Sequence, residues 1–132
     1  MEQIKNFANK TYLFILSFTS KKTTRTHINH GLIYLITVVL TEVSSNAATA
    51  IIMTPIALAV TNQMGLDPRA FVFAVAFAAS ASFITPVGYQ TNLMVQGAGG
   101  YTVRDFFRDG FGLSLIVGIM VIAIVPLVWP FK

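Results

Sequence analysis

Phe111–Trp129 is the longest apolar segment that no polar stretch interrupts, and it constrains the fold more than any other feature. Its 19 residues, FGLSLIVGIMVIAIVPLVW, contain no charged side chain. A helix of this length measures about 28 Å, which is enough to cross the hydrocarbon core of a bilayer. Trp129 would then lie at the membrane interface, where tryptophan is enriched. The segment therefore predicts one complete transmembrane helix.

Composition indicates a membrane environment for most of the chain. Hydrophobic residues make up 55% of the 132 residues, charged residues make up 11%, and the mean hydropathy is +0.69. These values lie outside the range of soluble domains. No run alternates apolar and polar residues for long enough to indicate membrane strands. The sequence predicts an all-α integral membrane protein.

Residues 1–30 differ from the rest because they hold five of the nine Lys and Arg residues but only one of the five Asp and Glu residues. We expect a basic tail that ends before Gly31 and contacts anionic lipid or sets topology. Nothing in it is typical of a nucleic-acid recognition motif, so we expect no nucleic-acid partner. His27 and His30 have a spacing that suits a metal on a helix, but no third ligand is near, and solvated histidines are the favoured interpretation.

A polar stretch separates two apolar runs that are each too short to cross a membrane comfortably. Gly31–Leu40 would form a helix of about 15 Å and Ala47–Val60 one of about 21 Å. Between them lies TEVSSNAA, residues 41–48. Its Ser and Asn residues are typical N-caps of a following helix. The pattern predicts a helical hairpin with a polar tip.

A second interruption follows Ala70–Ile84, which would form a helix of about 22 Å. The next residues, TPVGYQTN, contain Pro and Gly, which disrupt helical hydrogen bonding. We expect a broken helix that resumes over Asn92–Ala98, then a short surface segment over Tyr101–Asp109. Small residues recur every four positions before the break and predict a face for close helix packing: Ala70, Ala74, Ala78 and Ser82.

Two interruptions in one apolar chain indicate a binding cavity. Non-helical backbone at membrane depth must be buried in protein or line a water-filled space. Secondary transporters use such breaks to bind ions, with helix N-termini facing anions and unwound carbonyls holding cations. Glu42 would cost about 2.5–3.5 kcal/mol at the bilayer centre. It could pair with a basic side chain, be protonated or act in transport, and the sequence leaves these alternatives open.

At these residues the chain resembles the divalent anion:sodium symporter family, within the wider citrate-transporter-like and ion-transporter superfamily. SSNAATAIIMTPIA is similar to the tip and second arm of the family's re-entrant hairpin. SFITPVGYQTNLMVQGAGGYTVRDFFRDG is similar to its broken helix and the loop before the last span. The resemblance covers Gly31–Lys132 and implies the C-terminal half-repeat of a membrane domain. Residues 1–30 match nothing in the family's motifs.

The resemblance also implies binding residues at both interruptions. Substrate-binding residues would be Ser45, Asn46, Thr91 and Asn92. Cation-binding residues would be Ser44, Ser45, Asn46, Thr85, Gly88 and Asn92, and Pro86 would belong to the same wall. Sodium is the coupling ion that the family implies, and no other metal or cofactor is expected. Ala47 stands where the family has threonine, which leaves sulfate or another small oxyanion open beside a dicarboxylate.

The implied function is part of a secondary active transporter in the bacterial inner membrane. It would move a small divalent anion, sulfate or a di/tricarboxylate, with sodium and by alternating access. Expected partners are membrane lipid, the anion, a chain that supplies the first inverted repeat, and a second copy in a homodimer. The alternative is a truncated, non-transporting membrane protein that packs with or regulates a partner. An enzyme is not expected, since the apolar region has no His, Cys or Ser/His/Asp arrangement.

Overall fold

The computed structural model describes residues 21–131, and this part of the chain is helical with no strand. The all-α prediction is therefore confirmed for the described residues. We number the helices in chain order: α1 (Lys21–Thr41), α2 (Asn46–Met64), α3 (Arg69–Ala79), α4 (Gln90–Gly99) and α5 (Val103–Val128).

The first helix runs through Gly31 without a break, although a boundary was expected there. His27 and His30 lie on its buried face and are only 5% and 0% exposed. The Phe131 ring packs edge-on against both, with centroids 5.0 and 5.5 Å away. His30 Nε2 also lies 3.3 Å from the Ala70 carbonyl oxygen. The prediction of solvated histidines is wrong, because α1 turns both rings toward aromatic residues that are distant in the sequence.

The turn after α1 confirms the first predicted interruption. Ser45 is the N-cap of α2, and its Oγ accepts a hydrogen bond from the Ala48 amide at 3.3 Å. The helix then continues to Met64, beyond the predicted end at Val60. Thr61 lies inside this helix, and its hydroxyl donates to the Ala57 carbonyl oxygen at 3.0 Å. Among the described residues, α2 and α5 are each long and apolar enough to cross a membrane.

The third helix forms the centre of the described fold, with α1, α2 and α5 packed against it. The predicted small-residue face is buried: Ala70 is 2% exposed, and Ala74 and Ala78 are fully buried. That prediction is confirmed. The helix ends at Ala79, however, and not at Ile84. The amides of residues 83–85 donate to the Glu42 side chain and not to carbonyls of α3.

The last helix is longer than the predicted span because it begins at Val103 instead of Phe111. Thr102 and Asp105 form a capping box, in which the Thr102 amide donates to Asp105 Oδ2 at 2.8 Å. Such a box satisfies amides that lack a helical partner at the start of a helix. The predicted surface segment Tyr101–Asp109 is thus mostly the first turns of α5. Gly100, at a φ of 64°, separates it from α4.

Candidate functional site

The two helix interruptions meet in space. We call residues 42–45 the first interruption, residues 80–89 the second interruption, and the place where they touch the junction. Ser82 Oγ donates to the Thr41 carbonyl oxygen at 3.3 Å. Thr85 Oγ1 donates to the Glu42 carbonyl oxygen at 2.6 Å. The fold therefore brings the two non-helical segments together although they lie about forty residues apart.

Glu42 forms the most extensive set of hydrogen bonds at the junction. Its Oε1 accepts from the backbone amides of Phe83 at 3.1 Å and Ile84 at 3.0 Å, and its Oε2 accepts from the Thr85 amide at 2.8 Å. The side chain is 8% exposed. A buried carboxylate is costly unless hydrogen bonds compensate it. One expected alternative was that Glu42 pairs with a basic side chain. In the described part of the chain its hydrogen-bond partners are backbone amides instead.

Gly88 lies where the second interruption passes closest to the first. Its amide donates to Thr85 Oγ1 at 3.2 Å. A Cβ added at Gly88 would overlap Ser82 Oγ and stand 2.7 Å from the Thr41 carbonyl oxygen. Only a residue without a side chain permits this approach.

Asn92, in the first turn of α4, fixes the other side of the second interruption. Its Nδ2 donates to the carbonyl oxygens of Ser82 at 3.0 Å and Thr85 at 3.2 Å. The two amide hydrogens are thereby used within the protein. The side-chain oxygen Oδ1 remains as the group that Asn92 can offer to a ligand.

Asn46 is connected to the junction through Thr41, which is fully buried. Thr41 Oγ1 lies 2.8 Å from Asn46 Oδ1 and 2.7 Å from the Ala79 carbonyl oxygen. A threonine hydroxyl has one hydrogen, so these two acceptors share it. Asn46, the start of α2 and the end of α3 are thus held at one point.

The structure does not join every residue that the resemblance implied. Gly88 and Asn92 each form a hydrogen bond with Thr85. Asn46 is connected to this group through Thr41. Pro86 is buried beside them. Within residues 21–131, no side-chain hydrogen bond links Ser44, Ser45 or Thr91 to the opposite interruption; Ser45 and Thr91 are exposed and Ser44 is half-buried.

Thr41 and Ser82 are junction residues that the sequence did not single out for this role. Ser82 was assigned to the small-residue face, and Thr41 is the first residue of the polar stretch at residues 41–48. Both are almost fully buried. Both lie immediately beside a predicted break, and this position could have identified them. Polar side chains there can form hydrogen bonds with backbone groups that have no partner within the helix.

The junction offers two kinds of group to a ligand. Oxygen atoms come from Asn92 Oδ1 and from non-helical carbonyls, and such oxygens suit a small hard cation. Amide donors come from the first turns of α2 and α4, which begin directly after the two interruptions; the N-cap of α4, Tyr89, makes no side-chain capping bond. Helix N-termini favour anions. The chemistry fits the binding of an anion beside a cation.

Comparison with known proteins identifies the family. The chain matches the citrate transporter family over residues 6–132, a range that includes most of the basic N-terminal stretch. It is 50% identical over 98 residues to an uncharacterized transporter of Synechocystis sp.. The aligned residues cover 74% of this chain and 16% of the relative. It is 43% identical over 74 residues to sodium/sulfate cotransporter 1 of Chlamydomonas reinhardtii, covering 56% of this chain and 8% of the relative.

A third relative is named for a different anion. The chain is 33% identical over 90 residues to the sodium-dependent dicarboxylate transporter SdcS of Staphylococcus aureus, covering 68% of this chain and 17% of the relative. The chain thus spans less than a fifth of the length of these three relatives. The family and the relatives are named as transporters, a class of protein distinct from enzymes. The chain belongs to the citrate transporter family of integral membrane proteins.

Proposed function

We propose that this chain is part of a secondary active transporter that moves a small divalent anion together with sodium by alternating access. The anion is sulfate or a di/tricarboxylate, and the membrane is the bacterial inner membrane. One observation carries the proposal: the two helix interruptions meet at the junction. Paired interruptions of this kind are the usual binding element of secondary transporters. The names of the relatives, which include sodium/sulfate and sodium-dependent dicarboxylate transporters, support the same class of substrate.

The proposed cation site uses oxygen atoms on both interruptions. It consists of Ser44, Ser45, Asn46, Thr85, Gly88 and Asn92. The geometry of Asn92 supports this role, since its Nδ2 is occupied by two carbonyl oxygens and its Oδ1 is left as an acceptor. Because both of its amide hydrogens are used, we propose that Asn92 does not donate to the anion. It would bind the cation through Oδ1, and the bound cation would attract the anion.

The proposed anion site uses the first turns of two helices. Ser45 and Asn46 lie at the start of α2, and Thr91 lies at the start of α4. Amides in a first helical turn lack partners within the helix and carry partial positive charge. Ala47 has no hydroxyl to offer, so its backbone amide would serve the anion instead. Neither helix has an acidic residue in its first turn to repel the ligand.

In the complete transporter we propose that α1 from Gly31 onward, the first interruption and α2 form the re-entrant hairpin. Then α3, the second interruption and α4 form the broken helix, and α5 is the complete span. Residues 31–132 would be the C-terminal half-repeat, preceded by a basic tail. The rest of the binding site would come from a chain that supplies the first inverted repeat, and two such assemblies would pair as a homodimer. Lipid would cover much of the exposed apolar surface.

The test is uptake of radiolabelled sulfate, succinate and citrate into proteoliposomes. The chain is reconstituted alone and together with a chain that carries the remaining part of the family fold. We expect uptake of at least one anion by the assembled transporter when sodium is higher outside, and none when sodium is equal on both sides. Absence of sodium-dependent uptake of all three anions by the assembled transporter would disprove the proposed function.

A further inference from the structure

We propose that Glu42 is a positioning residue: it holds the second interruption against the first, so that the two interruptions move as one unit. This inference rests on the proposed function, because positioning has a purpose only if the junction binds the transported ions. Glu42 itself need not touch either ion.

Glu42 and the adjacent Thr41 replace the turn of helix that α3 lacks. If α3 continued beyond Ala79, the amides of residues 83–85 would donate to carbonyls four residues earlier. These three amides donate to the Glu42 carboxylate instead. Thr41 takes one of the released acceptors, since its hydroxyl bonds to the Ala79 carbonyl oxygen at 2.7 Å. Two adjacent residues thus satisfy both the donors and an acceptor that the end of α3 exposes.

The hydrogen bonds between Glu42 and Thr85 run in both directions. The Glu42 carboxylate accepts from the Thr85 amide at 2.8 Å, and the Thr85 hydroxyl donates to the Glu42 carbonyl oxygen at 2.6 Å. The backbone and the side chain of Glu42 therefore both form hydrogen bonds with Thr85, and those of Thr85 both form hydrogen bonds with Glu42. A displacement of one interruption relative to the other would break four hydrogen bonds that Glu42 makes.

The proposed ligand groups depend on the backbone that Glu42 holds. Asn92 bonds to the Thr85 carbonyl oxygen, and the Gly88 amide bonds to Thr85 Oγ1. The positions of Asn92 and Gly88 therefore follow the position of Thr85. Glu42 sets that position through the Thr85 amide, and so acts on the cation site through Thr85.

Glutamine cannot replace the carboxylate. Glu42 uses Oε1 for two amides and Oε2 for the third. Glutamine has one side-chain oxygen, and its NH₂ group would face an amide donor. Glu42→Gln therefore removes at least one hydrogen bond while it keeps the size of the side chain.

Hydrogen–deuterium exchange of the purified chain in lipid nanodiscs tests the positioning directly. We expect the amides of residues 83–85 to exchange at least about tenfold faster in Glu42→Gln, because a tenfold change corresponds to the loss of roughly one hydrogen bond. Amides within α3 should be unchanged. The matched control is Val43→Ala, since Val43 lies in the same turn and is 78% exposed. If Glu42→Gln does not fold, Thr85→Val is the second variant. It removes the bond from the Thr85 hydroxyl to the Glu42 carbonyl oxygen, together with the acceptor of the Gly88 amide, and should accelerate the same amides.

Uptake by the assembled transporter provides the second measurement. We expect Glu42→Gln to raise the KM for sodium at an unchanged amount of protein, whereas Val43→Ala leaves it unchanged. A residue that only supported folding would lower the maximal rate and leave KM alone. Unchanged exchange at residues 83–85 in folded Glu42→Gln would overturn the inference, and so would faster exchange with an unchanged KM for sodium. If the wild-type assembly takes up no anion, the proposed function fails, and the exchange data alone then decide whether Glu42 holds the interruptions together.

Discussion

Gly88 and Thr41 touch through their backbones: a Cβ on Gly88 would lie 2.7 Å from the Thr41 carbonyl oxygen and would overlap Ser82 Oγ. We expect Gly88→Ala to lower the stability of the chain by about 1–3 kcal/mol, the usual cost of overpacking. The cost should be near the upper end because one of the obstructing atoms is backbone. Thermal unfolding in detergent measures it.

Gly97→Ala is the control for this substitution. Gly97 lies inside α4, and a Cβ there would meet no atom within 4 Å among the described residues. Alanine favours a helix over glycine by about 1 kcal/mol. Gly97→Ala should therefore raise the unfolding temperature or leave it unchanged. Equal losses from the two variants would show that the junction is not as close as described.

A second close contact joins α5 to the second interruption at Gly110. A Cβ on Gly110 would overlap the Phe83 carbonyl group and lie 3.0 Å from the Ile84 amide nitrogen. We expect Gly110→Ala to push α5 away from the junction and to cost about 1–3 kcal/mol of stability. It should also accelerate amide exchange at Phe83 and Ile84, which exchange mass spectrometry would detect.

Gly112→Ala, two residues further along the same helix, is the matched control. A Cβ at Gly112 would meet no atom within 4 Å in the part of the chain that the structure describes. Its only expected effect is the gain in helix propensity of about 1 kcal/mol. If Gly112→Ala destabilises the chain as much as Gly110→Ala does, the Gly110 contact is not the cause.

Asn46 and Asn92 are the side chains whose removal should affect transport most. In the assembled transporter, we expect Asn46→Ala or Asn92→Ala to abolish sodium-dependent uptake while the amount of protein in the membrane is unchanged. Asn92→Ala also leaves the Ser82 and Thr85 carbonyls without the donor that the amide provides. Sodium-dependent uptake of radiolabelled anion, normalised to protein in the membrane, is the measurement.

Asn62→Ala serves as the control for the asparagine variants. Asn62 is an exposed residue near the end of α2, and the junction lies at the start of that helix. Uptake by Asn62→Ala should equal that of the wild type. Normal uptake by both Asn46→Ala and Asn92→Ala would refute their assignment as binding residues.

The position of the first interruption and the presence of the second could be predicted from the sequence because their signals are local. The polar stretch between two apolar runs marks the end of α1. Serine is a favoured N-cap residue, and Ser45 is the N-cap of α2. The periodicity of Ala70, Ala74 and Ala78 likewise predicted a buried face. Each of these signals lies within a few turns of the element it determines.

The contacts that decide the rest span long distances in the sequence. Glu42 binds amides that are 41 to 43 residues away, and no local pattern specifies that pairing. The early end of α3 follows from it, since those amides are no longer available to the helix. His30 is buried because Phe71 and Phe131 come to it from α3 and from beyond α5. The start of α5 was an exception: the Thr102 and Asp105 spacing was local but was not interpreted as a cap.

Phe131 and the two histidines of α1 mark the end of the bundle that lies away from the junction. His30 and Thr41 are eleven residues apart on α1, which corresponds to about 16 Å along the helix. Phe131 packs against His30, and the junction begins at Thr41. A fluorescent reporter joined after Phe131 through a flexible linker would therefore be attached well away from the interruptions. The carboxyl end of the described chain is a suitable attachment point for optical measurements that must leave ion access unobstructed.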